Sequence, residues 1–339
     1  MAANTINTFD HPFQTRWMVC TFSYKNLNQV INCFYSQIYL KLDNLQPSGS
    51  FKSRGVGNFL LSHIAKTSNR SKIHFYISSG GNAGLACVCA AVSLGAAATI
   101  VVPMSTTAYM ISKLRASGAT DVVQIGESWA EADAHVREVM MKEAKERGEE
   151  PVYVPPFDAQ EVWDGNATLV EELVEQIDGP LDALICSVGG GGLFSGIMQG
   201  LGKAGWSDTK VLAVETEGAH SLALSLEKGE LSTLPAITSI ATSLGARRVA
   251  ERAYEHAKSD SVTSVVLKDA DAIEGCARFA DDERIMVEPA CGVSLALCYN
   301  GRLRKQLPHL NEKSRVVIVV CGGSNVSAEM LHNWVVQRG

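Results

Sequence analysis

The segment Leu45–Gly55 reads LQPSGSFKSRG, and a helical pattern of apolar residues follows it. The turn-forming residues Pro47–Gly49 come first, and we predict that Ser50 is the N-cap of the helix. Lys52 then lies in the first turn, where the helix dipole disfavours a cation. A lone lysine at such a position is most simply a surface residue. Here an aromatic residue and two glycines flank it, and a lysine amine whose pKa is lowered by its surroundings can form a Schiff base with an aldehyde cofactor.

Length and composition describe a soluble globular chain. Its 339 residues are 46% apolar and 19% charged, and the length suggests two lobes of ordinary size. The net charge of -6 provides no basic field, so neither nucleic acid nor an anionic membrane surface is expected as a partner. The nine cysteines follow no disulfide-framework or C-x-x-C spacing, which predicts reduced thiols and no structural zinc site. With no signal pattern near Met1 and no membrane-spanning apolar run, we expect a cytoplasmic protein.

From residue 38 onward, short apolar runs alternate with helical patterns. The alternation predicts parallel strands joined by helical crossovers, and therefore an α/β fold. A proline-rich stretch, Pro151–Pro156, interrupts it and suggests a boundary between two domains. We predict a small domain of residues 46–155 and a large domain made of residues 1–45 and 156–339. The predicted strands lie at residues 38–42, 73–77, 98–102, 121–125, 184–188, 211–214 and 316–320.

Four consecutive glycines, Gly189, Gly190, Gly191 and Gly192, stand between a predicted strand and a predicted helix that begins at Leu193. We call them the glycine quartet. Glycine leaves its backbone N–H uncovered and permits positive φ, and a helix N-terminus attracts anions, so the segment is suited to a phosphate group. One or two glycines would be enough for a tight turn, and four reduce stability with no evident benefit to packing, which favours phosphate binding. The spacing matches neither the dinucleotide-binding motif nor the P-loop.

Two further turns follow predicted strands and carry polar side chains. Residues 78–84 read SSGGNAG, in which Ser79 and Asn82 could hydrogen bond to a substrate carboxylate or a cofactor phenolate. Asn82 could equally be a simple helix N-cap. Cys321 ends the last predicted strand, where a buried apolar role and a functional role are equally consistent with its position. The carboxyl ends of parallel strands meet at one edge of a sheet, where ligands bind.

Glu215 follows a further predicted strand and precedes the turn that contains Ala219. A carboxylate beside turn carbonyls can bind a hard cation, but a solvated surface carboxylate is at least as consistent with this pattern. The eight histidines are dispersed and show no metal-binding spacing.

The motifs SFKSRG at residues 50–55, SGGNAG at 79–84, GGGGL at 189–193 and CGG at 321–323 form an ordered set. This set resembles the fold-type II pyridoxal-phosphate enzymes, in particular the eukaryotic L-serine/L-threonine dehydratase (ammonia-lyase) family, over roughly residues 38–335. The resemblance implies a tryptophan synthase β-like fold with two open, twisted, parallel-sheet α/β domains. It also implies a pyridoxal 5'-phosphate cofactor, a small amino acid as substrate and a homodimer.

The resemblance also implies roles for individual residues. Lys52 would form the Schiff base with the cofactor and remove the Cα proton of the substrate, whose carboxylate Ser79 and Asn82 would bind. Around the cofactor, it places Phe51 against the ring, Asn82 at the phenolate oxygen, Gly189, Gly190, Gly191, Gly192 and Leu193 around the phosphate, and Cys321 at the pyridine nitrogen. Three residues correspond to the family's monovalent-cation site, for which K+ is a candidate: Glu215, Ala219 and Ser243.

By this resemblance the expected reaction is α,β-elimination, which converts L-serine to pyruvate and ammonia, and L-threonine to 2-oxobutanoate and ammonia. A thiol opposite the ring nitrogen, instead of an aspartate, would not keep that nitrogen protonated. The weaker electron sink that results disfavours transamination and favours prompt elimination.

Two features depart from the family pattern. Residues 1–37 lack the Thr-Pro-Leu segment, the serine and the glycine-ended helix that normally precede the Tyr-Leu-Lys-Leu strand, and Gly80 stands where some members have alanine. Serine racemase, threonine synthase and O-acetylserine sulfhydrylase are alternatives within the fold. The racemase type, however, usually has a serine and a histidine where this chain has Cys321 and Ala83. The alternative from another class is a cofactor-binding paralogue without activity, whose N-terminal region has diverged.

Overall fold

Two parallel β-sheets with helices packed on them form the part of the chain that the computed structural model describes, residues 37–338. The strands are β1 Gln37–Lys41, β2 Ile73–Ile77, β3 Ala97–Val102, β4 Asp121–Gln124, β5 Glu150–Tyr153, β6 Ala183–Ser187, β7 Lys210–Thr216, β8 Val262–Leu267 and β9 Arg315–Val319. The larger sheet has the order β1-β9-β6-β7-β8, and the smaller sheet has the order β4-β3-β2-β5. All neighbouring strands are parallel.

Helices connect the strands and cover the sheets. They are α1 Lys52–Lys66, α2 Asn82–Leu94, α3 Ala108–Ala116, α4 Trp129–His135, α5 Met141–Glu146, α6 Gln160–Gln176, α7 Gly192–Lys203, α8 Ser221–Lys228, α9 Glu251–Ala257, α10 Asp269–Glu283, α11 Pro289–Leu295, α12 Arg302–Gln306 and α13 Ala328–Arg338. A π-helical segment, Val136–Met140, joins α4 to α5. No helix between residues 37 and 338 combines the length and the apolar character needed to cross a membrane.

The central strands are apolar along their whole length because helices cover both faces of a parallel sheet. Every residue of β6 is buried, and so are four of the five residues of β9. The predicted α/β fold with two parallel sheets is confirmed. The strands of the smaller sheet lie between residues 73 and 153, whereas those of the larger sheet come from residues 37–41 and 183–319. The domain boundaries at residues 45/46 and 155/156 stay a prediction. The departure from the family's sequence pattern at residues 1–37 lies almost wholly outside the described residues.

Five strands and helices were not predicted from the sequence: β5, α6, β8, α9 and α12. Strand β5 contains Pro151, which we took as a sign of a domain boundary. β5 pairs only with β2 and lies at the edge of the smaller sheet, where a proline without an N–H group is tolerated.

The predicted N-cap Ser50 is wrong by one residue, and so is the alternative interpretation of Asn82 as an N-cap. Ser50 forms an isolated bridge with Gly322, and α1 begins at Lys52 with Phe51 before it. Asn82 is the first residue of α2 and not its N-cap, since Gly81 precedes the helix in that position. The Asn82 side chain is therefore not used to cap its own helix.

Helix α6 packs against both α1 and α7, and it sets the position of the lysine turn relative to the glycine quartet. The backbones approach closely at glycines. A Cβ at Gly165 of α6 would lie 2.4 Å from Arg54 O of α1, and a Cβ at Gly196 of α7 would lie 2.4 Å from Asn166 Cβ of α6. The first turn of α1 and the N-terminus of α7 are therefore held at a fixed distance through one intervening helix.

A buried ion-pair network holds the start of α1. Arg54 donates two hydrogen bonds to the Asp43 carboxylate, at 2.8 and 2.9 Å, and two more to Glu172 of α6. Glu172 also pairs with Lys41, so two positive and two negative charges share the buried site. Removing one partner of a buried pair typically costs about 3–5 kcal/mol, because the other charge is left without compensation. This network therefore anchors the turn that carries Lys52, two residues from Arg54.

Candidate active site

The lysine turn and the loop after β9 are joined through their backbones. Phe51 N–H donates to Cys321 O at 3.1 Å, and the bridge between Ser50 and Gly322 continues the contact. This pairing places Lys52 beside Cys321. Two motifs that are about 270 residues apart in the sequence therefore lie together at the carboxyl edge of the larger sheet.

Lys52 Nζ donates a hydrogen bond to Pro156 O at 2.5 Å and lies 5.3 Å from the centre of the Phe51 ring. Although Lys52 is partly exposed, burial lowers the pKa of its amine to about 8, and the electrostatic interaction with Cys321 opposes this shift only in part. Phe51 packs against the core of the larger sheet. The amine is therefore partly neutral near neutral pH, as a nucleophile requires.

The glycine quartet follows β6 and leads into α7, as predicted, but its glycines have a second reason that the sequence did not reveal. A Cβ at Gly190 would lie 2.3 Å from the Phe157 ring, and a Cβ at Gly191, whose φ is +88°, would lie 2.4 Å from Ala253 Cβ. The other two positions are also confined, Gly189 by Leu244 and Gly192 by Phe157. The inference that four glycines bring no benefit to packing is wrong, because close packing alone requires glycine at each position.

The quartet nevertheless fits a phosphate group. Among residues 37–338, no acceptor is found for the backbone N–H groups of Gly190, Gly191, Gly192 and Leu193. The first N–H groups of a helix have no partner within the helix, and they point along its axis with the positive end of the dipole. These free donors are suited to bind an anion at the start of α7.

Asn82 connects the loop after β2 to the larger sheet. Its amide nitrogen donates to Glu288 Oε1 at 2.8 Å and to Ser243 Oγ at 3.2 Å, and its amide oxygen accepts from Ser324 N–H at 2.8 Å. Since Ser324 N–H can only donate and the Glu288 carboxylate accepts, these partners define which end of the amide is nitrogen. All three hydrogen bonds join the start of α2, which follows a strand of the smaller sheet, to segments that follow strands of the larger sheet.

Glu288 is a buried carboxyl at the start of α11, 3% exposed. Its other oxygen accepts from Asn325 N–H at 3.0 Å. Burial raises the pKa of Glu288, and hydrogen bonds from Ser243, the Asn325 N–H and Asn82 oppose that shift. A Cβ on Gly323 would lie 1.9 Å from the Glu288 carboxyl carbon, so the backbone of the Cys321 loop lies directly on this group.

Ser79 is half-buried in the loop after β2. Its hydroxyl accepts from Gly81 N–H at 3.4 Å. The neighbouring Gly80 faces Thr106, since a Cβ there would lie 2.8 Å from Thr106 Cγ2. Ser79 therefore keeps its hydroxyl proton available for another acceptor.

Cys321 is buried, and its thiol is held in the neutral form. A hydrogen bond with Cys291 and burial raise the pKa of Cys321 well above its usual range, and a hydrogen bond with Ser187 opposes them. A neutral thiol at this position carries no negative charge with which to hold a proton on a neighbouring ring nitrogen.

The three residues proposed for the cation site have different partners. Both oxygens of Glu215 accept backbone N–H groups at the start of α8, from Leu222 at 2.9 Å and Ala223 at 2.8 Å. Burial raises the pKa of Glu215 to about 8, against the effect of these two bonds. Ala219 N–H donates to Thr216 O, which closes the turn between β7 and α8.

Ser243, the third residue proposed for that site, contacts both halves of the candidate active site. Its hydroxyl accepts from Asn82 and from Asn325 Nδ2 at 2.9 Å, and its carbonyl oxygen lies beside Gly189 of the glycine quartet. Its hydroxyl is thus occupied by amide donors, and only the carbonyl is suited to a cation. No cluster of three or more His, Cys, Asp and Glu side chains within residues 37–338 could hold a metal ion.

Sequence reasoning missed four residues of the site: Pro156, Phe157, Glu288 and Asn325. Pro156 and Phe157 were missed because we interpreted the proline-rich stretch only as a boundary between domains. Glu288 was interpreted as part of a helix start because Pro289 follows it. One sequence feature could have identified Glu288: it is an acidic residue that directly precedes a helix of apolar and small residues. Such a helix is expected to be buried, and a carboxyl buried with it needs a hydrogen-bonding partner.

The family model for pyridoxal-phosphate dependent enzymes matches residues 22–322. The chain belongs to this family. Relatives of this pyridoxal-phosphate dependent enzyme include a Rattus norvegicus protein named serine dehydratase-like, 43% identical over 297 residues and covering 87% of each chain. The Homo sapiens L-serine dehydratase/L-threonine deaminase is 42% identical over 313 residues and covers 90% of each chain.

A solved structure supports the same conclusion. The fungal L-serine ammonia-lyase from Rhizomucor miehei superimposes with a TM-score of 0.82 at 35% sequence identity, over 90% of this chain and 94% of that one. The predicted resemblance to the serine and threonine dehydratases and the fold-type II architecture are confirmed. The roles of the individual site residues stay predictions.

Proposed function

We propose that this pyridoxal-phosphate dependent enzyme is an L-serine/L-threonine ammonia-lyase, which acts by α,β-elimination. The observation that carries the proposal is the position of Lys52, whose amine has a lowered pKa. It lies beside a neutral thiol and contacts Pro156, whose neighbour Phe157 borders the glycine quartet. The dehydratase names of the relatives support the same reaction. In it, L-serine loses its β-hydroxyl as water, regains water on hydrolysis and yields pyruvate and ammonia, while L-threonine yields 2-oxobutanoate and ammonia.

When bound, pyridoxal 5'-phosphate supplies the electron sink that makes the Cα proton of an amino acid removable. The residues present fit this group. The free N–H groups of the quartet and of Leu193 would hold the phosphate, Phe51 would lie against the ring, and Cys321 would face the ring nitrogen. Lys52 Nζ would hold the aldehyde carbon covalently until the substrate amine displaces it.

Lys52 then has a second task as the base that takes the Cα proton. Its lowered pKa leaves a fraction of the amine neutral near neutral pH, and this is the form that can accept a proton. The hydroxyl of Ser79 and the backbone N–H groups of the loop that ends at Asn82 would hold the substrate carboxylate. Because the Cys321 thiol is neutral, nothing in its position would keep the ring nitrogen protonated, and elimination is favoured over transamination.

A monovalent cation such as K+ at Glu215, Ala219 and Ser243 is the finer part of the proposal. Among residues 37–338, Glu215 is a buried carboxyl with no ion-pair partner. A bound cation would supply the missing charge and lower the pKa of Glu215. A lyase rate that rises with K+ in the wild type and loses this dependence in Glu215→Gln would support the site, and a rate independent of all monovalent cations would exclude it.

A homodimer and a cytoplasmic location belong to the proposal as well. The resemblance supports the first, and the thiol-rich composition supports the second. Sedimentation of the purified chain tests the first, and microscopy of the tagged chain in its own cells tests the second.

The decisive experiment on function uses the purified chain with pyridoxal 5'-phosphate. Borohydride reduction followed by peptide mass spectrometry should place the cofactor on Lys52, and Lys52→Ala should lose both the adduct and the visible absorption band. Lys66→Ala is the matched control, because Lys66 ends the same helix with its side chain exposed. An adduct on any other lysine would refute the assignment.

The reaction itself is tested by product analysis with both enantiomers of serine and threonine. Pyruvate and 2-oxobutanoate should be released from the L-forms. Conversion of L-serine to D-serine without pyruvate would establish a racemase instead. A stable absorption band with no turnover of any of the four amino acids would establish a binding protein without activity.

A further inference from the structure

Four residues form a closed ring of hydrogen bonds, three of them between side chains and one from the Asn325 backbone N–H, at the contact between the parts of the chain that carry the two sheets. Asn82 donates to Glu288 Oε1 and to Ser243 Oγ, Asn325 N–H donates to Glu288 Oε2, and Asn325 Nδ2 donates to Ser243 Oγ. Asn82 belongs to the loop after β2, whereas the other three residues belong to the larger sheet's side of the contact. The ring thus joins the two sheets beside the loop that carries Cys321.

The number of donors in this ring is limited. The amide nitrogen of Asn82 has two N–H groups, and both are used, one on Glu288 and one on Ser243. Its oxygen accepts from Ser324 N–H. Asn82 has no further donor for a cofactor oxygen, so binding one requires that the side chain release Glu288 or Ser243.

The two bonds differ in what their loss leaves behind. Ser243 Oγ keeps a second donor, Asn325 Nδ2 at 2.9 Å, and its bond to Asn82 is the longer one at 3.2 Å. Glu288 accepts from Asn82 at the shorter distance of 2.8 Å inside a buried site, where its other donors are the Asn325 N–H and the Ser243 hydroxyl. Taking one donor away from a buried carboxyl costs about 1–3 kcal/mol, and more when the group is charged. The bond to Ser243 is therefore the one that is released.

We propose that Glu288 is the positioning residue for Asn82: it holds one N–H of the amide and thereby directs the other, which lies on Ser243 Oγ here, to the ring oxygen of the cofactor. This inference rests on the proposed role of Asn82 toward pyridoxal 5'-phosphate. Glu288 does not touch the cofactor itself. It acts through Asn82, and through Asn325 N–H it also fixes the loop that follows Cys321.

The test replaces Glu288 with glutamine, which keeps the shape but turns one acceptor into an NH2 donor. That donor faces either Asn82 Nδ2 or Asn325 N–H, so one of the two contacts is lost. In Glu288→Gln, the visible band of the bound cofactor should shift, because its ring oxygen loses a directed hydrogen bond, and the Kd for pyridoxal 5'-phosphate should rise by about tenfold. In the protein without cofactor, hydrogen exchange at the amide of Asn325 should become faster.

Asp282→Asn is the matched control. The Asp282 carboxylate accepts a hydrogen bond from the Tyr299 hydroxyl at 3.0 Å, and the substitution also replaces a carboxylate acceptor with an amide. Asp282 lies on α10, which packs against α11, the helix that follows Glu288. The band, the Kd and the exchange at Asn325 should remain as in the wild type. Equal changes in both variants would mean that Glu288 acts only through general stability, and this would overturn the inference, as would an unchanged band and Kd in Glu288→Gln.

Glu288→Asp covers the case in which the glutamine variant does not fold. It keeps the charge and shortens the side chain by one methylene, so it should produce the same shift of the band. The outcomes also separate this inference from the proposed function. A wild type that binds the cofactor but releases no pyruvate would refute the lyase, while the comparison of the bands would still decide the role of Glu288.

Discussion

The glycine quartet and the loop around Asn82 both lie at strand ends of the candidate active site, but they are held in different ways. Each glycine of the quartet has a neighbour that leaves no room for a Cβ, so the backbone itself forms the site. Asn82 is held by two side chains and one backbone N–H, which are 161, 206 and 242 residues away in the sequence. The first site is built from consecutive residues, and the second exists only when the two sheets are in place.

The claim that close packing requires glycine in the quartet is tested most directly at Gly191. Gly191→Ala places a Cβ 2.4 Å from Ala253 Cβ at a φ of +88°, and the strain and overpacking together should destabilise the protein by about 2–5 kcal/mol. The quartet should also lose its affinity for phosphate. Thermal or denaturant unfolding measures the first effect, and protection of the cofactor-free protein by inorganic phosphate measures the second.

Gly202→Ala is the control within the same helix. A Cβ at Gly202 has nothing within 4 Å, and this variant should instead stabilise the protein by about 0.5–1 kcal/mol, because alanine is the better helix former. Similar stabilities for the two variants would show that the quartet tolerates side chains, and the packing account of its glycines would then be wrong.

This difference also decided what could be predicted from the sequence. The quartet, the lysine turn and the Cys321 loop are each contiguous, and each follows a buried strand, so their meeting at one sheet edge follows from the α/β pattern alone. The fold and the family resemblance could therefore be predicted, and both are confirmed. Strand β5 could not, because its proline is acceptable only at a sheet edge, and the edge is known only once the strand order is known.

The polar ring around Glu288 could not be predicted for a related reason. The sequence around Glu288 contains a helix-start pattern before an apolar helix, and this can suggest that the carboxyl is buried but does not identify its partners. The same limit applies to Asn82, which local rules describe equally well as an N-cap. Its actual partners come from the larger sheet, and burial of their polar groups is what gives the arrangement its specificity.

Lys52 is connected to the glycine quartet through Pro156, which it contacts, and through the neighbouring Phe157. The lowered pKa of its amine can be tested by varying the pH. With a pKa of about 8, set by burial, its amine is protonated below that value and neutral above it. The rate of covalent attachment of pyridoxal 5'-phosphate to the cofactor-free protein should rise about tenfold per pH unit below pH 8 and level off above it. Stopped-flow absorbance measures this rate, and a rise that continues to about pH 10.4, as for a free lysine, would contradict the lowered pKa.

Asn82→Ala tests the side-chain half of the comparison. It removes two donors and one acceptor from the ring and takes one donor away from the buried Glu288 carboxyl, which should weaken cofactor binding by about 1–3 kcal/mol. Binding of inorganic phosphate to the cofactor-free protein should be unchanged, because the quartet does not depend on Asn82.

Asn58→Ala is the control for Asn82→Ala. The Asn58 side-chain amide donates to Glu161 O at 2.7 Å, where α1 packs against α6, and the substitution removes this donor. The Kd for pyridoxal 5'-phosphate should stay at the wild-type value in this variant. If phosphate affinity falls together with cofactor affinity in Asn82→Ala, the two halves of the site are coupled and do not act separately.

The smallest expected effect lies in the loop between the two regions, at Gly80. Gly80→Ala adds a Cβ 2.8 Å from Thr106 Cγ2 and 3.2 Å from Val102 Cγ1, so either Thr106 or the loop that carries Ser79 must shift. A shift of the loop changes the room for the substrate, and the ratio of kcat/KM for L-serine to that for L-threonine should change by less than about tenfold.

Thr106→Ser shows whether Thr106 transmits this effect, because serine lacks the Cγ2 atom with which the new Cβ would collide. In the double variant Gly80→Ala/Thr106→Ser, the serine-to-threonine ratio should return toward the wild-type value. An unchanged kcat/KM for both amino acids in Gly80→Ala would refute a role for this glycine in substrate choice. If Gly80→Ala changes the ratio and the double variant does not restore it, the backbone of the loop and not Thr106 determines the substrate preference. The loop that ends at Asn82 would then resemble the quartet, where the backbone forms the site.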